Sequence, residues 1–323
     1  MKLDIVSLGE ILIDMFPVEI GRKLGEVSAF YPKPGGACAN VAVAAAKLGC
    51  RSAFIGKVGS DAFGDTLVRT LAQNGVETRG MCVDKKVRTT VVFIAMPDEN
   101  TAEFIFFRNP GADLCLRADE LDHDLLQNTK ALHCGSLTLV DEPARSAQFA
   151  AVEIARQNSA LISFDVNHRP NLWQDENEAL KQIWRMIDFV DLIKINEVEL
   201  ELLTRTSDPA YGAKVLLQKG IKLVAVTLGM KGSYFCSTSF QGHIPPFIVK
   251  TVDAIGCGDA FIAGLLSRLV EISDNQLNLN AAQLKECFKF ANAVGAITAL
   301  NRGVIPALPT AAQVTDFIMN YQD

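Results

Sequence analysis

Runs rich in β-branched and aromatic residues alternate with helical periodicity along most of the chain. Residues 52–58 precede a helical pattern at 62–74, and residues 161–165 precede one at 176–187. A strand–helix–strand rhythm of this kind is what a parallel sheet with crossover helices requires, so the expected fold is α/β, a mostly parallel sheet covered by helices on both faces. Further strands are expected at 192–196 and 222–228, and three helices, at 259–269, 281–299 and 310–320, are expected to close the chain. The 323 residues show no compositional break, linker or repeat and read as one unit, 1–323, long enough for a large core.

Two segments depart from the rhythm. Residues 11–31 lack a helical period, and residues 89–108 read as a hairpin turning at Pro97-Asp98-Glu99-Asn100. Inserted segments of about 11–34 and 87–110 would together form a small sheet projecting from the main one.

The formal net charge of −6 provides no basic face for nucleic acid. An anionic ligand must then be held by local backbone amides and a few cations. No apolar run is long enough to span a bilayer and the first residues lack a signal-peptide pattern, so no membrane partner and a cytoplasmic location are expected. The eight cysteines show no CxxC pairing or Cys/His clustering, which speaks against structural zinc and a disulfide framework. The P-loop, the protein-kinase signatures and the dinucleotide fingerprint are absent.

Residues 251–264, Thr-Val-Asp-Ala-Ile-Gly-Cys-Gly-Asp-Ala-Phe-Ile-Ala-Gly, run two glycines into an aspartate that opens an apolar helical pattern. Positive-φ turns at Gly256 and Gly258 would let backbone N–H groups converge on an anion at the helix N-terminus. Asp259 at the mouth of that site suits a group that orients a hydroxyl for phosphoryl transfer. The same residues would also serve as a glycine-rich turn with an aspartate N-cap. A helix N-terminus favours the charged form of Asp259, which makes it a weak base, and lowers a thiol pKa at Cys257 unless that residue only fills the turn.

This stretch resembles the second signature of the PfkB, or ribokinase-like, carbohydrate kinases. Residues 35–49, Gly-Gly-Ala-Cys-Ala-Asn-Val-Ala-Val-Ala-Ala-Ala-Lys-Leu-Gly, with Ile55-Gly56-Lys57-Val58-Gly59-Ser60-Asp61 and Gly64, resemble the first. The resemblance extends over essentially the whole chain. It implies a ribokinase-like three-layer sandwich with a small β-sheet lid, ATP and magnesium (Mg²⁺) as cofactors, and transfer of the γ-phosphoryl group to a sugar primary hydroxyl.

By this resemblance the catalytic segment is Gly256, Cys257, Gly258 and Asp259, and the sugar site draws on Asp14, Gly35, Gly36, Asn40, Arg108, Asn167 and Arg169. Asn196, Glu199, Thr227, Gly229, Gly232 and Asn292 fall to the nucleotide side, Glu199 meeting magnesium through water. Asp253 and the Ile255 carbonyl fall where relatives coordinate a monovalent cation, while Ala254 and Ala307 depart from the Thr and Ser found in relatives, which leaves potassium (K⁺) activation open. Segment 106–113 resembles the lid return of fructokinases, and segment 164–173 an Asp-Pro-Asn-x-Arg…Trp element of fructokinase-like and ketodeoxygluconate kinase-like members. Fructose, yielding fructose 6-phosphate, is therefore the first expected acceptor. Aminoimidazole riboside, 2-keto-3-deoxygluconate or another furanose are the alternatives, and a catalytically silent sugar-binding regulator is a reading of another class. An exposed apolar face on the hairpin would favour a homodimer through the lid.

Overall fold

The computed structural model describes residues 2–98, 103–272 and 277–321. Part of the expected turn, Glu99 and Asn100, lies outside the described residues.

The strands are β1 (Leu3–Leu8), β2 (Leu12–Pro17), β3 (Phe30–Gly35), β4 (Ser52–Gly59), β5 (Met81–Asp84), β6 (Val91–Ala95), β7 (Glu103–Phe107), β8 (Thr129–Gly135), β9 (Leu161–Asp165), β10 (Leu192–Asn196), β11 (Leu223–Thr227), β12 (Ser233–Ser237) and β13 (Gln241–Ile244). The helices are α1 (Ala37–Lys47), α2 (Ala62–Gln73), α3 (His123–Gln127), α4 (Ala144–Gln157), α5 (Glu176–Ile187), α6 (Glu197–Thr204), α7 (Pro209–Leu217), α8 (Cys257–Ile272), α9 (Ala281–Thr298), α10 (Val304–Ala307) and α11 (Ala311–Asn320).

Nine strands form one sheet in the order β13-β12-β11-β10-β9-β8-β1-β4-β5. Its pairs are parallel except at one edge, where β11–β12 and β12–β13 are antiparallel. The rhythm did not foretell that edge. Gly229 and Gly232, at φ +56° and +90°, turn the chain back between β11 and β12, leaving no room for a crossover.

Alternate residues of each strand serve different layers, as the two-residue period requires. Ile5, Leu161, Leu192 and Leu223 pack with α1, α8 and α9, whereas Val6, Ile162, Ile193 and Val224 pack with α4 and α5 on the opposite face. The same period puts Ser7, Ser163, Asp165 and Lys194 on the α1–α8 side. Ser7 Oγ accordingly donates to Cys38 O of α1 at 2.7 Å. The alanines of α1 let its backbone approach both the sheet and α8; Ala39, Ala42 and Ala45 are wholly buried.

A second sheet has the order β3-β2-β6-β7. Its β6–β7 pair is the expected hairpin, and β2 lies between β3 and β6 with Asp14 opposite Lys33 and Val92. Lys33 Nζ donates to Arg302 O at 3.0 Å, linking this sheet to the segment after α9.

Candidate active site

From β1 the chain steps outward through β4 and β5, and from β8 it steps the other way through β9, β10 and β11. The carboxyl ends of β1 and β8 therefore diverge, and open α/β sheets bind ligands at such a switch point. Two helix starts, those of α1 and α8, meet there.

At α8, Gly256 has φ +79°, and a Cβ on it would lie 2.3 Å from Val304 Cγ1. The N–H groups of Gly256, Gly258 and Asp259 meet no protein acceptor among the described residues. They are the free donors of a helix N-terminus, a chemistry that fits phosphate oxygens. Gly258 itself does not take the expected positive-φ turn. It lies in the first turn of α8, and a Cβ there would meet Lys194 Nζ at 3.0 Å, so its glycine makes room for an ammonium.

Asp259 is half-buried, and Asn40 Nδ2 donates to its Oδ2 at 2.8 Å. Asn40 Oδ1 is buried and without a partner, an acceptor left for a ligand among the described residues. The expectation that the helix N-terminus would leave Asp259 a weak base is corrected. Loss of water, helped by the Asp165 and Glu10 carboxylates and opposed by Asn40 and Lys194, pushes its pKa up to about 7. The expectation of an acidified Cys257 fails for the same reason. Burial, with Asp253 and Asp259 alongside, pushes the thiol up to about 12, and Sγ rests 3.8 Å from Asp253 O.

At the other helix start, Asp14 faces Gly35 across the β2–β3 pair, where a Cβ would lie only 1.9 Å from Asp14 Oδ2. Gly36, at φ +106°, lets the chain pass Glu10 O, which its Cβ would approach to 2.6 Å. Burial, then the charges of Asp259 and Glu10, push Asp14 up to about 7 against the pull of Arg169. Arg169 spreads its guanidinium 5.8 Å from the Phe104 ring centroid and donates to His168 O. Asn167, at φ +37°, donates its N–H to Asp165 Oδ1 at 3.2 Å.

Arg108 requires another correction. Its side chain is 2% exposed and ion-paired with Asp113, Nη1 donates to Leu137 O at 3.0 Å, and Thr90 Oγ1 holds the other Asp113 oxygen. A guanidinium so engaged anchors the root of the small sheet and offers the cleft no free edge; its charge is within reach of Glu10.

On the remaining flank, Asn196 and Glu199 form a capping box at the start of α6, and Glu199 Oε1 also accepts the His168 N–H at 2.8 Å. Thr227 Oγ1 donates to Ile195 O, and Asn292 Nδ2 donates to Pro245 O at 3.0 Å, tying α9 to the chain after β13. The Asp253 carboxylate accepts the Ile255 N–H at 3.0 Å and the Gly303 N–H at 3.2 Å. No group of three or more His, Cys, Asp or Glu side chains among the described residues could hold a metal directly. Magnesium, which keeps much of its water shell, fits this sparse acid set through water.

Two residues of the cleft escaped the sequence reasoning. Glu10 follows the lone Gly9 at the end of β1 and is buried, with Oε1 accepting the Ala37 and Cys38 N–H groups. Lys194 is a lone charge in the apolar strand Leu192–Asn196, the signal by which it could have been found.

The pfkB family carbohydrate kinase model matches residues 2–311. A relative described as probable fructokinase-2 of Arabidopsis thaliana is 43% identical over 316 residues, covering 97% of this chain and 95% of its own length. The fructokinase from Xylella fastidiosa with bound ATP superposes with a TM-score of 0.90 at 30% identity, covering 99% of each chain. A double mutant of the Vibrio cholerae O395 fructokinase, bound to fructose, ADP and potassium ion, superposes with a TM-score of 0.87 at 33% identity over 98% of each chain. With the family's two signatures converging on one cleft at the switch point, this chain belongs to the pfkB family and is a carbohydrate kinase.

Proposed function

We propose that the protein is a fructokinase, transferring the γ-phosphoryl group of ATP to the primary hydroxyl of fructose to give fructose 6-phosphate. The carrying observation is Asp259, bonded to Asn40 at a helix start whose Gly256, Gly258 and Asp259 N–H groups meet no protein acceptor among the described residues. The names of the full-length relatives favour fructose as acceptor.

In this reading Asp259 accepts the hydrogen bond of the attacking hydroxyl, whose proton leaves late in a loose transition state. The N–H groups of Gly256, Gly258 and Asp259 stabilise charge on the moving oxygens; the Cys257 N–H donates instead to Ala254 O at 3.3 Å, so Cys257 only shapes the turn. Asp14 and Asn40 take sugar hydroxyls, Gly35 and Gly36 allow close backbone approach, and Asn167 and Arg169 close the sugar side. Arg108 acts by holding the small sheet in place. Asn196 and Glu199 would hold magnesium through water, and the ion would screen the charge of the triphosphate. Thr227, Gly229, Gly232 and Asn292 line the nucleotide side. A potassium ion, if used, would be held by Asp253 and the Ile255 carbonyl.

The inserted segments 11–34 and 87–110 would act as a lid that excludes water from ATP. Its outer face exposes Phe107 and Ile105, at 64% and 49%, and suits a second copy of the chain in a homodimer.

An ADP-release assay over hexoses, pentoses, ribosides and 2-keto sugar acids tests the reading. Fructose is expected to give the highest kcat/KM. A riboside or sugar-acid preference would move the substrate and keep the kinase, and sugar binding without turnover would support a silent regulator.

A further inference from the structure

Lys194 sits between Ile193 and Ile195 in β10, where a well-packed apolar side chain would often serve stability as well or better than a buried ion pair. Its side chain is 7% exposed, that of Asp165 is 3% exposed, and Nζ lies 3.0 Å from both Asp165 oxygens. The strand period turns it toward α8, and the ammonium ends beneath the first turn, where a Cβ on Gly258 would meet Nζ at 3.0 Å. Glu199 and Asp259 both lie within its electrostatic reach.

Charge balance gives this placement its meaning. The cleft gathers the carboxyl groups of Glu10, Asp14, Asp165, Glu199 and Asp259; each that ionises adds to the negative charge a triphosphate would bring, and burial raises the pKa of Glu10, Asp14, Glu199 and Asp259. Arg108 is already engaged by Asp113. The N–H cradle carries only partial positive charge. A fixed, full positive charge behind the cradle offsets the repulsion at the point where charge develops.

We propose that Lys194 is a positioning cation of the phosphoryl-transfer centre, held under Gly258 by Asp165 so that its charge backs the N–H cradle during transfer. The inference rests on the kinase reading given above. A role confined to neutralising Asp165 would need no glycine above it and no place beneath the phosphate donors.

The test compares Lys194→Met with Asp165→Asn/Lys194→Met. The single variant leaves Asp165 charged and unpaired, so both its melting temperature and its kcat should fall. The double variant replaces the pair with neutral groups of similar shape. Its melting temperature should return close to the parent's while kcat stays lower by about 10²-fold, with fructose affinity by calorimetry unchanged. Parental kcat in the double variant, or loss of fructose affinity in step with kcat, overturns the proposal and leaves the kinase reading intact. A parent that phosphorylates no sugar overturns both.

Discussion

Both α1 and α8 begin at a glycine of positive φ, Gly36 at +106° and Gly256 at +79°, yet only one of these helix starts is sealed. At α1 the protein supplies its own acceptor: Glu10 Oε1 accepts the Ala37 N–H at 2.7 Å and the Cys38 N–H at 3.3 Å. At α8 the N–H groups of Gly258 and Asp259 keep their free ends among the described residues. The two starts offer the same backbone chemistry. What separates a structural cap from a ligand seat is whether a carboxylate from another element reaches it. Asp259 cannot fill its own cradle, because its side chain is held to Asn40 of α1.

The largest test of that contrast removes the charge at the open seat. Asp259→Asn keeps the size of the side chain and its place in the helix, so kcat is expected to fall by about 10²–10⁴-fold while fructose still binds by calorimetry. Turnover within a few-fold of the parent would make α8 as structural as α1. The sealed seat should respond in stability instead. Glu10→Ala leaves two N–H groups without their acceptor and should cost about 1–3 kcal/mol in a denaturant melt, with a smaller change in kcat than Asp259→Asn. An unchanged midpoint would mean that α1 needs no seal.

The smallest expected effect is in pH. Asp14 and Asp259 are raised from 3.8 to about 7, so the folded chain holds protons that the unfolded chain has released across that window. The corresponding stability is present below the unfolded pKa and is lost as pH rises through the folded one. The ligand-free melting temperature should therefore decline from about pH 5 to pH 8. Over the same range kcat should rise, because Asp259 must be charged to accept the hydroxyl. Asp259→Asn should flatten part of the thermal slope; a slope unchanged in both Asp259→Asn and Asp14→Asn would mean that neither acid titrates there.

Where a pattern is local, the sequence could be read closely. β9 and α5 fall at 161–165 and 176–187 as expected, because strand alternation and helical period are carried within each segment. The cleft was legible where its residues sit in contiguous stretches, as with residues 35–40 and 256–259. It was not legible where a partner comes from afar. Arg108 reads as a loop cation until Asp113 and the Leu137 carbonyl enclose it. Gly258 reads as a turn glycine until Lys194, from another strand, arrives under it.

The chain by itself determined the α/β rhythm, the small second sheet, the family and the aspartate at the head of α8, since each is written in residue type at short spacing. The tertiary structure decided the antiparallel edge, the burial of Arg108, the ammonium beneath Gly258 and the near-neutral pKa of Asp259. Those four depend on which distant groups share one volume and how much water they exclude. Coulomb interaction and desolvation act through space, and sequence separation does not measure it.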